Sequence, residues 1–272
     1  MPELPEVESA RVAIERAGLG RRIVEVDDSD RYECRPHLPG EIRAALLGRR
    51  LTAAHRRGKS MWCQTSDAGP DLGIHLGMSG RILISGPSSG QGAGEVVEGG
   101  DYAGPATGRP ALDVWFRFTL AFADGGTLRL LDKRRLGRVR LDPDLSALGP
   151  DAQSVDRAEF RARVGKGTAP LKARLLDQSV LAGVGNLLAD QALWQSRLAP
   201  RRPAGALTAT ELDRLHDELR AAIDDAVRNG GVHTGSVVAY RKAGRHCPRC
   251  GTEMACATVG GRTTWWCPAE QR

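Results

Sequence analysis

The sequence predicts an α+β protein in three parts: a β-rich first half led by one helix, a helical second half, and a small cysteine-rich appendage. Three observations carry this. Short alternating segments run from Arg22 to Leu131. After about residue 145 the apolar positions recur at threes and fours instead. Four of the six cysteines, Cys247, Cys250, Cys256 and Cys267, crowd into the last 26 residues.

Val7, Ala10, Ile14 and Ala17 are spaced as one helix face, which predicts a helix from Glu6 that Gly18 ends. Arg22–Asp27 alternates as a strand, and Glu41–Leu51 reads as a short helix. Leu51–Ala54 and Ser60–Thr65 read as strands around the basic loop His55-Arg56-Arg57-Gly58-Lys59. Leu72–Leu76 is a strand running into Gly77-Met78-Ser79-Gly80. Ser85–Pro110, rich in Gly, Ser and Pro, reads as a mobile surface loop. Phe116, Phe118, Leu120 and Phe122 point one way; Trp115, Arg117 and Thr119 point the other. Asp124-Gly125-Gly126 turns the chain into a hairpin partner, Thr127–Leu131. Many short strands behind one helix imply a β-sandwich or flattened barrel.

In the second half, Arg157–Val164 and Ala169–Leu176 read as helices. The latter leads through Ala182-Gly183-Val184-Gly185-Asn186 into another helix reaching Trp194. Thr208–Val227 has the clearest pattern. Thr208 and Glu211 form a capping box, Leu212, Leu215, Leu219, Ile223 and Val227 line one face, and Gly230 lies past the end. No internal repeat is present.

A chain of 272 residues is long enough for two domains. Hydrophobic content of 41% is ordinary, and no apolar run reaches membrane-spanning length. With no signal-peptide pattern at the start, the expectation is a soluble, cytoplasmic protein without membrane contact. The net charge of +6, from 39 basic and 33 acidic residues, favours a polyanionic partner, nucleic acid first. Cysteines in such a compartment seldom form a disulfide framework. Cys34 and Cys63 read as buried small hydrophobes; the terminal cluster suggests a metal.

The chain begins Met1-Pro2-Glu3-Leu4-Pro5-Glu6-Val7-Glu8. Removal of Met1, expected before a residue as small as proline, exposes Pro2 as a secondary amine. An α-amine has a pKa near ~7.7–8.0, so a useful fraction is neutral and nucleophilic. The Schiff base of a secondary amine has no N–H to lose and stays a cationic iminium. Glu3 and Glu6 stand beside it as proton carriers. Pro-Glu pairs also simply start helices.

The run from Pro2 to Glu8 resembles the amino terminus of the formamidopyrimidine-DNA glycosylase and endonuclease VIII family. The resemblance implies Pro2 as nucleophile, Glu3 as catalytic glutamate and Glu6 in support. Asp177-Gln178-Ser179 through Gly183-Val184-Gly185-Asn186-Leu187-Leu188-Ala189-Asp190 is similar to that family's helix-two-turn-helix element. It implies that Asn186 grips a phosphate and that its glycines allow close approach of the DNA backbone. Lys172, just before this element, is expected to bind DNA as well. By the same resemblance Lys59 sits in the active site and holds phosphate. Gly77-Met78-Ser79-Gly80 and Asp132-Lys133-Arg134-Arg135-Leu136-Gly137 are similar to loops that fill the gap left by an everted base, through Met78, Arg134 and Leu136. Leucine stands where the family has phenylalanine, and Gln191 where it has glutamate.

Cys247-Pro248-Arg249-Cys250, sixteen residues, then Cys267-Pro268-Ala269-Glu270 has the spacing of a zinc hairpin. The expected ligands to one Zn2+ are Cys247, Cys250, Cys267 and, atypically, Glu270, with His246 or Cys256 as substitutes; a metal-free hairpin packed on Trp265 or Trp266 is the alternative. Gly260-Gly261 places Arg262 at the tip, where the resemblance implies a phosphate contact. The segment Gly231–Val237 is shorter than the loop with which the formamidopyrimidine branch caps 8-oxoguanine, so oxidised pyrimidines or abasic sites are equally expected substrates.

The whole predicts an amino-terminal β-sandwich with its leading helix over 1–132 and a linker over 133–150. A helix-two-turn-helix domain over 151–240 and a zinc-finger-like hairpin over 241–272 follow. The implied function is a DNA glycosylase and abasic-site lyase. It would act as a monomer on damaged double-stranded DNA, near the nucleoid, in a basic cleft between the domains. An abasic-site lyase or damage-binding protein with little glycosylase activity is the alternative.

Overall fold

A computed structural model describes residues 2–101 and 113–272. Two units emerge: Pro2 with Glu6–Leu145, and Glu3–Pro5 with Ser146–Arg272. Met1 and residues 102–112, including the end of the expected mobile loop, lie outside the described residues.

In the first unit, helix α1 (Leu4–Ala17) buries Val7, Ala10, Ala13 and Ile14, the predicted face. Among the described residues the strands form two antiparallel sheets. One has five strands in the order β1 (Ile23–Asp27), β7 (Phe116–Phe122), β8 (Thr127–Leu131), β5 (Arg81–Ser85) and β6 (Val96–Gly100). The other runs β2 (Leu51–Arg57), β3 (Ser60–Thr65), β4 (Leu72–His75), β9 (Arg138–Leu141). Helix α2 (Glu41–Leu46) seals one side with Ile42 and Leu46. One core joins α1 to both sheets and includes Cys34 and Cys63. Burial pushes both thiols up to about 12. Phe118, Leu120 and Phe122 are buried as the alternation requires.

Two expectations change here. Strand β6 lies inside the segment read as a loop and pairs residue by residue with β5. Its composition hid it: Gly99 and Gly100 replace apolar side chains, and a Cβ on Gly99 would lie 2.3 Å from the Ser9 carbonyl of α1. The linker expected from 133 also begins too early, because β9 pairs with β4 and the first unit extends to Leu145.

The second unit packs helices α3 (Arg157–Val164), α4 (Leu171–Leu176), α5 (Asn186–Gln195) and α6 (Ala209–Asn229) around Phe160, Leu175, Leu188, Leu193, Leu215 and Ile223. Burying each such side chain contributes roughly 1.5–3 kcal/mol. Helix α6 has the predicted capping box at Thr208 and Glu211, and ends at Gly230 with φ 88°. The hairpin β10 (Ala255–Val259) and β11 (Arg262–Trp266) belongs to this unit rather than standing apart. A small cluster of Trp194, Val237, Cys247, Met254 and Cys267 anchors it. No helix among the described residues is long and apolar enough to cross a membrane.

Candidate active site

Glu3 is 1% exposed, and its carboxylate is held by the amino terminus of α5. Oε1 accepts from Leu187 N at 2.8 Å, and Oε2 accepts from Gly185 N at 3.0 Å and Leu188 N at 3.1 Å. These N–H groups have no partner inside the helix, and the helix dipole favours an anion there. The Leu4 N–H donates to the Gly183 carbonyl at 3.2 Å, fixing the segment next to Pro2. Pro2 and Glu6 are buried.

Asn186, the first residue of α5, donates through Nδ2 to the Thr263 carbonyl at 3.1 Å. A second Nδ2 hydrogen remains for a further acceptor. Arg262 is exposed just past the turn made by Gly260 and Gly261, both at positive φ. A Cβ on Gly260 would lie 3.0 Å from Ala173 of α4, so the hairpin tip sits tightly on that helix.

In the first unit, Lys59 occupies the two-residue turn between β2 and β3, after Gly58 at φ 59°. Register places Ser60 opposite His75, at the end of β4. The His75 Nδ1 accepts from Gly77 N at 3.0 Å. Burial and the positive charges of Lys59 and Arg140 lower the pKa of His75, favouring the neutral ring.

The two loops that follow β4 and β8 are tied together. Asp132, fully buried, accepts from Ser79 Oγ at 2.7 Å and from the backbone N–H groups of Arg134, Leu136 and Gly137 at 2.8–2.9 Å. Burial opposes ionisation of this carboxyl, yet those four donors hold its pKa below the ordinary value. Gly77, at φ 59°, leaves no room for a side chain, since a Cβ would lie 2.3 Å from the Leu136 carbonyl carbon. The backbones of the two loops thus meet at Gly77 and Leu136; Met78 is half-buried, and Arg134 and Leu136 are exposed.

Near the carboxy terminus, the sulfurs of Cys247, Cys250 and Cys267 lie within 4.8 Å of one another. Burial opposes ionisation of Cys247, but the Trp194 indole N–H, 3.4 Å away, and nearby backbone N–H groups bring it down to about 7. Cys267 is pushed up to about 11 by burial and its thiol neighbours. Three cysteine sulfurs are a donor set suited to zinc.

Two family models cover most of the sequence: the formamidopyrimidine-DNA glycosylase N-terminal domain over residues 1–139 and the H2TH domain of the same enzymes over 147–237. The chain belongs to the formamidopyrimidine-DNA glycosylase family. It is 34% identical to the formamidopyrimidine-DNA glycosylase of a Nocardioides species, over 100% of this chain and 94% of the relative. It is 34% identical to that of Latilactobacillus sakei, over 98% and 97%. Among solved structures it is similar to Lactococcus lactis Fpg (MutM) in complex with Fapy-dG-containing DNA. The TM-score is 0.81 at 26% identity, over 99% of this chain and 100% of that one. A complex of the same L. lactis protein with DNA containing an oxidised pyrimidine matches at TM-score 0.81 and 27% identity, over 100% of both chains.

Within this family fold, several expected roles change. Lys172 has no exposed surface; its Nζ lies 2.7 Å from Asp190 and donates to Thr264 Oγ1 at 2.8 Å. It ties β11 to the helices. Gly185 makes room for Glu3: a Cβ there would lie 2.2 Å from Glu3 Cδ. Arg56, read with Lys59 as one basic cluster, is nearly buried against Glu8 at 2.8 Å. Glu270 stands outside the sulfur group, with its carboxylate 3.5 Å from Arg197, and His246 and Cys256 are outside it too.

Gln191 acquires a role the sequence does not disclose. Its Oε1 accepts from Val237 N at 3.0 Å, while Nε2 donates to Ser236 Oγ at 2.9 Å and to Gln195 Oε1 at 3.0 Å. An amide has both the acceptor and the donors this short segment needs. Nothing in the sequence separates His75 or Asp132 from ordinary strand-end residues. The one available signal is that each adjoins a glycine-bearing loop that carries a candidate site residue.

Proposed function

We propose that this chain is a DNA glycosylase of base excision repair that also cleaves the strand at the resulting abasic site, with the amine of Pro2 as nucleophile. The observation that carries the reading is the buried Glu3 carboxylate, clamped by three N–H groups one residue from Pro2. A carboxylate so fixed is a pre-positioned proton carrier next to an α-amine.

The neutral Pro2 nitrogen forms a bond to C1′ of the damaged nucleotide as the C1′–base bond breaks, and the base leaves with a proton taken from water. The Pro2 N–H proton passes to the Glu3 carboxylate and from it to the sugar ring oxygen, the C1′–O4′ bond opens, and the nitrogen lone pair gives a cationic iminium. The iminium acidifies C2′–H. Removal of that proton expels the 3′ phosphate by β-elimination; a second elimination expels the 5′ phosphate. Water then releases Pro2 and the sugar fragment.

Reaching C1′ requires the nucleotide to leave the duplex, at a cost of roughly a few kcal/mol. Met78, Arg134 and Leu136, exposed or half-exposed on joined loops, are suited to fill the vacated space. Lys59, Asn186 and Arg262 hold phosphates, which makes binding salt-dependent. Damaged purines of the formamidopyrimidine class and oxidised pyrimidines are the substrate classes considered first, because the relatives' names and complexes carry both. Cys247, Cys250 and Cys267 would hold one zinc ion, with the fourth position left to a ligand other than Glu270. Bound there, zinc would cross-link the base of the hairpin that presents Arg262.

Borohydride trapping on duplex DNA with an abasic site tests the reading. Reduction of the iminium gives a covalent protein–DNA band, expected with mature protein and absent in Pro2→Gly. Tight binding without a band would leave a damage-binding protein instead.

A further inference from the structure

We propose that Glu33 is a positioning residue for the reaction: its neutral carboxyl, packed against Asp132 and Gly137, holds the loop that presents Arg134 and Leu136. The functional half of this rests on reading those two residues as the ones that enter the duplex.

Glu33 is fully buried, and neither of its side-chain oxygens has a hydrogen-bond partner among the described residues. Its backbone is held on both sides. Its N–H donates to Asp30 Oδ1 at 3.1 Å, and its carbonyl accepts from Val139 N of β9 at 2.9 Å. A Cβ on Gly137 would lie 2.5 Å from Glu33 Oε2 and 3.3 Å from Asp132 Oδ2, so two carboxyl groups flank one glycine.

Two charges cannot share that space cheaply. Asp132 is the one that must stay ionised, because it accepts from four donors on the two loops. Glu33 therefore carries the proton, and burial and the neighbouring Asp132 push its pKa up to about 8. A protonated carboxyl also has the O–H donor that its unpartnered oxygens lack.

The surrounding groups do not neutralise it. Asp30 faces Glu33 with a second negative charge, and its partners Arg135 at 2.8 Å and Arg117 at 3.6 Å are engaged by that aspartate. Strand β9 contributes Arg138, whose guanidinium lies over the Tyr32 ring. Strand β4 contributes His75, whose carbonyl lies 3.0 Å from the Cβ position of Gly137. The adjacent Cys34 thiol, pushed up to about 12, is neutral throughout. Ionisation of Glu33 above pH 8 thus sets a second buried negative charge beside Asp132, and the loop loosens.

The test measures amide-exchange protection factors of Arg134, Leu136 and Gly137 in the free protein between pH 6 and 9, and affinity for a duplex carrying a non-cleavable abasic analogue. Wild type is expected to lose protection about tenfold between pH 7 and 9, and affinity about threefold or more beyond any decline in Glu33→Gln. Glu33→Gln, neutral at every pH and able to donate, keeps flat protection. Glu33→Met, lacking charge and donor, gives flat but lower protection. Equal pH profiles in wild type and Glu33→Gln would overturn the proposal. Loss of protection with no loss of affinity would keep Glu33's hold on the loop and overturn instead the reading that Arg134 and Leu136 enter the duplex.

Discussion

Glu3 and Gly185 compete for one space: a side chain on Gly185 would begin 2.2 Å from the Glu3 carboxyl carbon. The glycine also supplies one of the three N–H groups on that carboxylate. Its backbone is extended at φ −119°, a conformation open to any residue, so the requirement for glycine is steric. Gly185→Ala is expected to displace Glu3 and slow abasic-strand cleavage by about 100-fold, the scale of a lost proton carrier. Glu3→Ala opens the space, so the double variant should be no slower than Glu3→Ala alone. Single-turnover rates in this cycle check the coupling; additive losses would separate the two residues.

Lys59 and Lys172, two lysines expected from the sequence to meet DNA, should fail in different ways. Lys172→Met leaves Asp190 buried with one cation fewer, though Arg241 still donates to it at 2.8 Å. Burial opposes the charge on Lys172 and lowers its pKa, with Asp190 pulling the other way. Breaking such a pair costs about 3 kcal/mol, read from guanidinium unfolding midpoints. Lys59→Ala should weaken DNA binding and reduce the salt slope by about 1, the signature of one lost phosphate contact.

Helix α6 gives a pH prediction with a defined sign. The Arg202 guanidinium, then the Thr208 N–H, hold the Glu211 carboxyl at about 2, well below its ordinary 4.5. A depressed carboxyl stabilises the fold above pH 4.5, and that contribution is lost as pH falls toward 2. Arg202→Ala should therefore lower stability at pH 6, with the deficit shrinking on acidification. Thr208→Ala should cost about 1 kcal/mol at neutral pH through the lost cap. Urea titrations at pH 6 and pH 3 measure both.

Local rules made much of the fold legible. The capping box, the alternation of Phe118, Leu120 and Phe122, and the glycine turn before Arg262 each depend on residues close in sequence. Strand β6 was not legible, because its place in the sheet comes from pairing with β5 and from α1 resting on Gly99. In the candidate site, residue types and motif order pointed to Pro2, Glu3, Asn186 and Lys59. What remained hidden was direction: whether a lysine faces solvent or an aspartate 18 residues later, and whether a glycine faces DNA or Glu3. The setting of Glu270 was hidden for the same reason, since its carboxylate lies 3.5 Å from Arg197.

The departure at Gln191 becomes a prediction about the short segment after α6. Its amide saturates three partners, and Gln195 passes the chain on by donating to Glu218 at 3.1 Å. Gln191→Glu keeps the shape and the acceptor for Val237 N but loses both donors. The new carboxylate also faces the Gln195 oxygen, which can turn away only by giving up Glu218. The expected cost is roughly 1–2 kcal/mol in stability. Exchange at the Val237 and Ser236 amides should quicken, because their segment has lost its tether, whereas the Glu3 clamp one turn earlier is untouched. Strand cleavage at abasic sites should therefore persist at near the parent rate while Val237 protection drops. A parent-like protection pattern in Gln191→Glu would mean that packing, not this amide, holds the segment.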